Sequence, residues 1–478
     1  MIIKTKTFGL KHTLPLFLAA TVTLSGCSSS DDDDGMSGAD TDGMSTEADS
    51  DTDGGEGTST GEGTSTGEGT STGEGTSTGE GTSTGEGTST GEGTSTGEGN
   101  GTEGVPPANL DTLAFTATAS FPTGQIERIP LRDGVVDATY PATMSDIRVE
   151  SFGDSIYQLG RFQLDSLTKL SPTDTSVVEY QYSLTAADES ANAHDVVFVD
   201  ETKAYVLRYG SPTIWIINPS ATTEEEFKIG EIDISAYDPD PSDDDLSPNA
   251  TSGVIVDGEL FVVMQRLTGF NPIETGYVAV FDVATDTEID TLKGGADNLM
   301  GIPLNSLNPT NIRFNDATGE IFVTGRGNIF VEFNMLEGDP YSGGLFAIDA
   351  STYDLSQRLD DGDQTNNNGF IAQTLVVSET KGYVAMYANA APDDGSPRTT
   401  LFSFDPSTGV IGDQVSSVAS QEVATLDVGP DGGVWMGVSS ADTPGFVRLN
   451  TEDDTVIEPY IATSFSPLNI LFLDVEEQ

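Results

Sequence analysis

Short apolar runs separated by Asp, Gly, Asn and Pro recur along the chain from Val105 onward. Each unit has an apolar first run, a tight polar turn and a second run that opens with an aromatic residue. An example is Asp195-Val-Val-Phe-Val followed by Ala204-Tyr-Val-Leu. Runs of this length, rich in β-branched and aromatic residues and bounded by turn residues, are typical of β-strands. The pattern therefore predicts an all-β fold built from repeated hairpins.

The aromatic residues of the second runs set the length of the repeat. They are spaced by 48, 56, 61, 61 and 52 residues: Tyr157, Tyr205, Phe261, Phe322, Tyr383 and Trp435. A third apolar run ending in a polar turn follows, for example Ile214-Trp-Ile-Ile-Asn-Pro. This spacing suits the four-stranded blade of a β-propeller, with insertions in its loops. The sequence therefore predicts six complete blades.

Two remnants flank the six units and predict a seventh blade. Residues 469–475 have the pattern of an isolated first strand, whereas residues 113–120, 126–131 and 135–140 have that of second, third and fourth strands. A blade built from both chain ends would close the ring and remove open sheet edges. The fold predicted for residues 105–478 is thus a seven-bladed β-propeller, and an extended β-sandwich array is the alternative.

Several runs also resemble the YVTN-type propellers of secreted bacterial lipoproteins. They are Ala204-Tyr-Val-Leu-Arg-Tyr, Ile214-Trp-Ile-Ile-Asn-Pro-Ser, Ile232-Asp-Ile-Ser-Ala-Tyr and Leu260-Phe-Val-Val-Met-Gln-Arg-Leu. The resemblance spans about residues 140–478. It implies the same propeller fold. Known propellers of this breadth bind ligands, scaffold complexes or occasionally catalyse reactions, so the resemblance leaves the function open.

Residues 1–26 have the pattern of an export signal. Three lysines precede an apolar run over residues 14–24, which is too short to span a bilayer as a helix. The sequence Leu24-Ser-Gly-Cys that follows resembles the box of bacterial lipoproteins, in which cleavage precedes a cysteine that becomes lipid-modified. The resemblance implies that Cys27, the single cysteine of the chain, carries the lipid anchor. The alternative is an ordinary secretory signal with a chance cysteine.

Residues 27–104 are predicted to form an acidic, low-complexity tether. Seven copies of Gly-Glu-Gly-Thr-Ser-Thr fill residues 55–96. The repeat has no apolar residue, so burial cannot offset the entropy of ordering it, and we expect a disordered linker. Ser28 follows the cysteine, and in the enterobacterial sorting rule a residue other than aspartate there favours the outer membrane. The expected localisation is therefore the outer membrane, on its cell-surface or periplasmic side.

The formal net charge of −59 comes from 78 acidic against 19 basic residues. A polyanion is repelled by nucleic acid and by anionic lipid, because binding either depends on clustered Lys and Arg. We therefore expect a monomer with no nucleic-acid partner, which contacts the membrane only through its lipid anchor. Solubility in a salty medium or retention of divalent cations explains the acidity without a dedicated acidic binding surface.

Polar residues at the starts of first strands and at the ends of second strands are expected to meet at one end of the central channel. The first set should occupy equivalent positions: Asp146, Asp195, Gly253, Asn311, Thr374, Thr425 and Asn469. The second set contains four arginines: Arg161, Arg208, Arg266 and Arg326. Because strand residues alternate between faces, only Arg161 and Arg326 are strictly equivalent.

Converging guanidinium groups on so acidic a domain would suit an anionic ligand such as a carboxylate or an acidic sugar. Tyr209, Gln265 and Tyr387 share the predicted rim and are residue types that a glycan or peptide site uses. The alternatives are that the ring residues hold loop amides and channel water, and that the arginines form inter-blade ion pairs.

Two acidic loops are the candidate calcium sites, because both supply clustered hard oxygen ligands. The first loop contributes Asp238, Asp240 and Asp243, and the second contributes Asp361 and Asp363. Neither loop matches the EF-hand pattern. Solvated turns are the alternative to calcium binding.

Histidine chemistry is limited, since His194 is the one imidazole after the export signal. A histidine-bound metal has no second imidazole, and the adjacent Asp195 should face the opposite side of the strand. We therefore expect a non-enzymatic binding or protein-interaction module anchored at the outer membrane. A metal-dependent hydrolase or lactonase that uses channel carboxylates, and a structural cell-surface component, are the two alternatives.

Overall fold

The computed structural model describes residues 112–474, with gaps at 187–189, 241, 243–245, 270, 273, 296, 329–340, 364, 366–368 and 389–394. The predicted export signal, Cys27 and the tether lie outside the described residues. The described part is all-β, and its seven sheets are the blades of a β-propeller. Within it, no helix has the length and apolar character needed to cross a membrane.

The strands follow one another in chain order, blade by blade. Ahead of blade 1 lie β1 Thr112–Ser120, β2 Thr123–Pro130, β3 Ala138–Thr139 and β4 Thr143–Met144. Blade 1 contains β5 Ile147–Phe152, β6 Ser155–Gly160, β7 Ser166–Leu170 and β8 Val178–Ser183. Blade 2 contains β9 Ala193–Asp200, β10 Lys203–Arg208, β11 Thr213–Ile217 and β12 Lys228–Asp233. Blade 3 contains β13 Ala250–Val256, β14 Glu259–Met264, β15 Tyr277–Asp282, β16 Thr287–Glu288 and β17 Ile302–Pro303.

The second half of the chain continues the series. Blade 4 contains β18 Pro309–Asn315, β19 Glu320–Gly325, β20 Gly344–Ile348 and β21 Leu355–Leu359. Blade 5 contains β22 Phe370–Val376, β23 Gly382–Tyr387, β24 Thr399–Asp405 and β25 Val410–Gln414. Blade 6 contains β26 Val423–Val428, β27 Val434–Val438, β28 Gly445–Leu449 and β29 Val456–Ala462, and the last strand is β30 Ser466–Asp474. The described connections include the 3₁₀ helices Glu224–Glu226, Ser235–Tyr237 and Ser416–Val418.

Blade 7 joins the two ends of the described chain. From the channel outward its strands are β30, β1, β2 and β3, and β4 also pairs with β2. Strands β30 and β1 are antiparallel, with Leu473 opposite Leu113 and Ile470 opposite Thr116. The prediction that both chain ends build the seventh blade is confirmed. The first strand is longer and the fourth strand shorter than the sequence pattern predicts.

The hydrophobic core lies between neighbouring blades. In β10, Ala204 and Val206 belong to the cluster shared with blade 1, whereas Tyr205 and Leu207 belong to the cluster shared with blade 3. Successive side chains of a strand point to opposite faces, and each face of this sheet is covered by another blade. The second runs of the sequence are continuously apolar for this reason, and lack the alternation of a half-exposed strand.

Candidate functional site

Six of the seven innermost strands contain a β-bulge near their start, where pairing with the second strand skips one residue. The first paired residues after these six bulges lie at equivalent positions. With the equivalent residue of blade 1 they form a polar ring around the channel. We call it the upper ring: Arg148, Asp195, Ser252, Asn311, Gln373, Thr425 and Asn469. The residues two positions further along the same strands form a second ring, which we call the lower ring: Glu150, Val197, Val254, Arg313, Leu375, Asp427 and Leu471.

This register corrects the predicted ring in three blades. Four predicted members do belong to the upper ring: Asp195, Asn311, Thr425 and Asn469. In blades 1, 3 and 5 the position is taken by Arg148, Ser252 and Gln373, and not by Asp146, Gly253 and Thr374. The bulge is the physical reason. An extra residue in one strand shifts the pairing by one position, and the apolar pattern does not show where that residue lies or that blade 1 lacks it.

Upper-ring side chains hold neighbouring blades together through backbone groups. The side chain of Asn469 accepts a hydrogen bond from the N–H of Val149 at 3.2 Å and donates one to its carbonyl at 2.7 Å, which ties blade 7 to blade 1. Gln373 makes the same pair of bonds with backbone groups of blade 6, at 3.1 and 2.6 Å. Asp195 accepts the N–H of Gly253 in blade 3 at 3.0 Å. These three side chains therefore already serve to hold a neighbouring blade.

Two ion pairs occupy the channel. Arg148 and Glu150 pair on β5 at 3.0 Å, and Arg313 of blade 4 pairs with Asp427 of blade 6 at 3.3 Å. Burial raises the pKa of Glu150 to about 7, although the positive charge of Arg148 acts in the opposite direction. The carboxylate of Asp195 adds to the increase in this pKa, and Arg313 opposes it. Glu150 therefore changes its charge near neutral pH.

These four channel residues were missed by reasoning from the sequence. Each is a charged residue inside an apolar first run, as in Asn311-Ile-Arg-Phe and Thr425-Leu-Asp-Val. A charge at such a position has only the channel side as a polar environment once the run is an innermost strand. That signal is visible in the sequence, but the predicted site includes only residues at the starts of first strands and at the ends of second strands.

A cavity of about 530 Å³ lies beside the Arg313–Asp427 pair, between the innermost strands of blades 4 and 5. Its lining includes both charged residues, the polar Asn311 and the apolar Phe322 and Leu375. The lining continues through residues 315–317, where β18 ends. The cavity therefore reaches the face on which first strands turn into second strands, which we call the turn face. The opposite face, where the sequence places the binding site, is called the mouth face.

At the mouth face, a hydrogen-bonded chain crosses blades 1, 2 and 3. Nη2 of Arg161 lies 2.8 Å from Nε2 of His194, and Nδ1 of His194 lies 3.2 Å from Oγ1 of Thr251. A guanidinium can only donate, so Nε2 accepts and the imidazole proton is on Nδ1. Tyr209 stacks on the imidazole at 4.0 Å and donates its hydroxyl to Gln265 at 2.7 Å. Burial lowers the pKa of His194 well below its usual value, and the charge of Arg161 lowers it further.

The predicted rim arginines have different surroundings. Arg161 pairs with Asp146 at 3.4 Å in addition to its contact with the histidine. Arg208 donates to a backbone carbonyl at 3.0 Å and stacks over Trp215 at 4.3 Å. Arg266 donates to two backbone carbonyls, at 2.8 and 3.0 Å. Arg208 and Arg266 are therefore anchored by nearby backbone, and any role of theirs in ligand binding stays a prediction.

Arg326 directly follows the second strand of blade 4, and Tyr387 is the last residue of the second strand of blade 5. Nε of Arg326 is buried and has no hydrogen-bond partner within the described part of the chain. Burial lowers the pKa of Arg326 from its usual value. The guanidinium of Arg398 lies 4.2 Å from the ring centre of Tyr387. Nε of Arg161 is likewise buried without a hydrogen-bond partner in the described residues, so both rim arginines retain an open donor, and their role as anion contacts also stays a prediction.

The acidic loops use their described carboxylates in local hydrogen bonds. Asp238, Asp240 and Asp363 each accept the N–H of the residue two positions later, at 3.1, 3.2 and 2.7 Å. Asp361 is 3% exposed and accepts a backbone N–H at 2.8 Å. Asp243 lies outside the described residues. Across the described ranges, no group of three or more His, Cys, Asp or Glu residues is placed to hold a metal ion, and calcium binding stays a prediction.

Comparison with known proteins identifies the fold alone. No protein-family model and no curated protein sequence matches the chain. The structure is similar to that of a protein from Lactobacillus plantarum, at 14% identity and a TM-score of 0.51 over 76% of this chain and 99% of that one. It is also similar to a candidate 6-phosphogluconolactonase from Bacteroides fragilis, at 12% identity and a TM-score of 0.50 over 77% of this chain and 100% of that one. At such identities a shared propeller does not transfer an activity.

Proposed function

We propose that this chain is a binding protein that takes a small ligand into the cavity beside Arg313 and Asp427. One observation carries the proposal: an ion pair faces a cavity of about 530 Å³ whose walls are otherwise largely apolar. Small-molecule sites commonly have volumes of about 300 to 1,000 Å³ and combine apolar walls with a few placed polar groups. The proposal belongs to the non-enzymatic binding class that the sequence favours.

The residues around the ion pair leave polar groups available to a ligand. The side chains of Arg313 and Asp427 are 39% and 30% exposed, so both are accessible from the channel. Asn311 lines the cavity, and its amide has no hydrogen-bond partner among the residues that the structure describes. Elsewhere in the upper ring, side chains such as that of Asn469 are engaged in holding blades together. The boundary between blades 4 and 5 therefore offers both free polar groups and space.

In this proposal the propeller works at the outer membrane as a lipoprotein of the YVTN type. Cys27 carries the lipid anchor, and residues 27–104 form a tether with a root-mean-square span of roughly 50 Å. Membrane contact is through the lipid alone. A protein partner, or an anionic or glycan ligand held at the mouth face by Arg161, Arg326 and Tyr387, is a second form of the same binding function.

A ligand screen on the full-length protein tests the proposal. Native mass spectrometry of protein incubated with a bacterial metabolite extract would compare the wild type with Asn311→Trp. This variant fills the cavity from a side chain that holds no hydrogen bond, and Asn305→Trp at an exposed loop position is the matched control. We expect a small molecule to be retained by the wild type and the control and to be lost from Asn311→Trp. Equal retention by all three proteins would refute the proposal.

A second candidate function, hydrolysis by channel carboxylates, is favoured by Glu150. A carboxyl group whose pKa is about 7 can act as a general acid or base near neutral pH. Under the binding proposal, a panel of esters and lactones should show no turnover by the wild type. Turnover that is lost in Glu150→Gln would favour the enzyme instead, and its sensitivity to EDTA would identify a metal-dependent form.

A further inference from the structure

The cavity presents two opposite charges side by side. Nη1 of Arg313 lies 3.3 Å from Oδ1 of Asp427, and both residues line the cavity. A lone arginine would attract an anion and a lone aspartate a cation. A net-neutral pair favours neither, because attraction by one partner is largely cancelled by repulsion from the other over such a short separation.

A ligand with both charges avoids this cancellation. Its carboxylate binds Arg313 and its ammonium binds Asp427, so that one ion pair is exchanged for two charge-assisted contacts. Partly exposed ion pairs contribute little to stability, and opening this one is therefore inexpensive. In an α-amino acid, bond lengths place the nitrogen about 3 Å from the nearest carboxylate oxygen, a separation close to that of the two protein charges.

The rest of the lining is mostly apolar, but it also contains Asp316, where β18 ends at the turn face, and the uncharged polar residues Asn315, Thr324 and Thr374. Val254, Phe314, Phe322 and Leu375 belong to the apolar wall, and Phe322 and Leu375 are only 6% and 5% exposed. Such a wall stabilises an aliphatic or aromatic side chain by removing it from water. The free amide of Asn311 adds an NH2 group that donates and a carbonyl oxygen that accepts beside the charged groups.

From these contacts we infer that the ligand of the cavity is a zwitterionic amino acid with an aliphatic or aromatic side chain. The inference rests on the proposed function, since it names the ligand class of the same cavity. The charge pair selects the two main-chain groups of the ligand, and the apolar wall selects its side chain.

Calorimetric titration of the full-length protein tests the inference with three matched probes. L-leucine carries both charges, 4-methylpentanoate lacks the ammonium and 3-methylbutylamine lacks the carboxylate. We expect L-leucine to bind at least about tenfold more tightly than either analogue, because each analogue leaves one protein charge without its ligand partner. Equal affinity for L-leucine and 4-methylpentanoate would overturn the inference, and it would do so without any variant.

Two variants then assign each charge to its partner. In Arg313→Gln, L-leucine should bind no better than 3-methylbutylamine, and in Asp427→Asn no better than 4-methylpentanoate. Lys293→Gln and Asp354→Asn, which alter an ion pair of 2.5 Å outside the lining of the cavity, are the matched controls and should keep the wild-type preference. Thermal unfolding of each variant identifies any that fails to fold. A preserved advantage of L-leucine in folded Arg313→Gln would overturn the assignment.

Failure of the inference and failure of the proposed function give different results. If none of the three probes binds, while a metabolite retained by the wild type is lost from Asn311→Trp, the inference is wrong and the cavity still binds a ligand. If a ligand binds equally to the wild type and to Asn311→Trp, the cavity is not its site and both are wrong.

Discussion

Arg313 of blade 4 and Asp427 of blade 6 form an ion pair that spans the innermost strand of blade 5. Between them in the lower ring is Leu375, which carries no charge and lines the same cavity. Charges from two non-adjacent blades can meet in this way because the innermost strands of blades 4, 5 and 6 converge on the channel.

Asn469→Ala should destabilise the propeller. The variant loses both hydrogen bonds to Val149, a fully buried residue, and leaves its backbone N–H and carbonyl without these partners. The expected loss in the free energy of unfolding is about 1–3 kcal/mol, measured by urea titration. The exposed Asn305 provides the control Asn305→Ala, which should change this free energy by less than about 0.5 kcal/mol. Equal unfolding midpoints for Asn469→Ala and the wild type would contradict the proposed link between blades.

Glu150 should make the protein less stable as the pH rises from about 4.5 to about 7. Its pKa is raised from 4.5 to about 7 in the folded state, so the folded protein binds more protons than the unfolded chain in this window. The charges that face it are Arg148, Asp195 and Arg313, with Asp427 next in the channel. The contribution of protonated Glu150 to stability is therefore present at the acidic end of this pH window and is lost toward its upper end.

The variant Glu150→Gln removes this titration and should flatten the dependence of stability on pH. As the pH rises from about 5 to about 8, its free energy of unfolding should increase relative to that of the wild type by on the order of 1 kcal/mol. Urea unfolding at several pH values measures this difference. Two parallel profiles would mean that Glu150 ionises in the folded protein as it does in water.

His194 should remain neutral at pH values at which a free histidine is protonated. Its pKa is lowered well below 6.5, first by burial and then by Arg161. Its contribution to stability is thus present above about pH 6.5 and is lost as the pH falls below it, because the unfolded chain takes up the proton first. Nitrogen-15 NMR at about pH 6 should show a neutral ring with the proton on Nδ1. A titration midpoint near the usual histidine value would contradict this environment.

Cys27→Ser should release the protein from the membrane. The wild type is expected to incorporate radiolabelled palmitate and to sediment with the outer-membrane fraction, because acyl chains on one cysteine anchor the chain stably. The serine variant should lose the label and appear in the soluble fraction. The control variant Ser28→Thr should incorporate the label and sediment with the outer-membrane fraction as the wild type does. If Cys27→Ser incorporates no palmitate but still sediments with the membrane, another segment anchors the protein.

The blade count and the closure could be predicted from the sequence. The aromatic residues from Tyr157 to Trp435 recur at blade length, and the remnants at the two ends supply complementary strands of a single blade. Both signals depend on the order of residues along the chain. The blades of a propeller follow one another around the ring in that same order. The boundaries were less predictable, since β30 begins at Ser466, three residues before the predicted start of the strand.

The candidate site could be predicted only in part. The upper ring contains Asn311 and Asn469 as predicted, but blade 1 lacks the bulge of the other blades and has Arg148 at this position in place of Asp146, a difference that no apolar pattern reveals. The cavity depends on the space between blades 4 and 5, and that space is set by the packing of two sheets. Likewise, the pairing of Arg313 with Asp427 joins residues of blades that are not neighbours in the chain.

Hydrogen–deuterium exchange of the full-length protein, with and without a saturating ligand recovered from the screen, tests the position of the site most directly. Ligand in the cavity should slow exchange in residues 311–317 and 374–377, which line it on blades 4 and 5. Slower exchange confined to the mouth-face segments around His194, Thr251 and Gln265, with β18 and β22 unchanged, would contradict binding in the cavity.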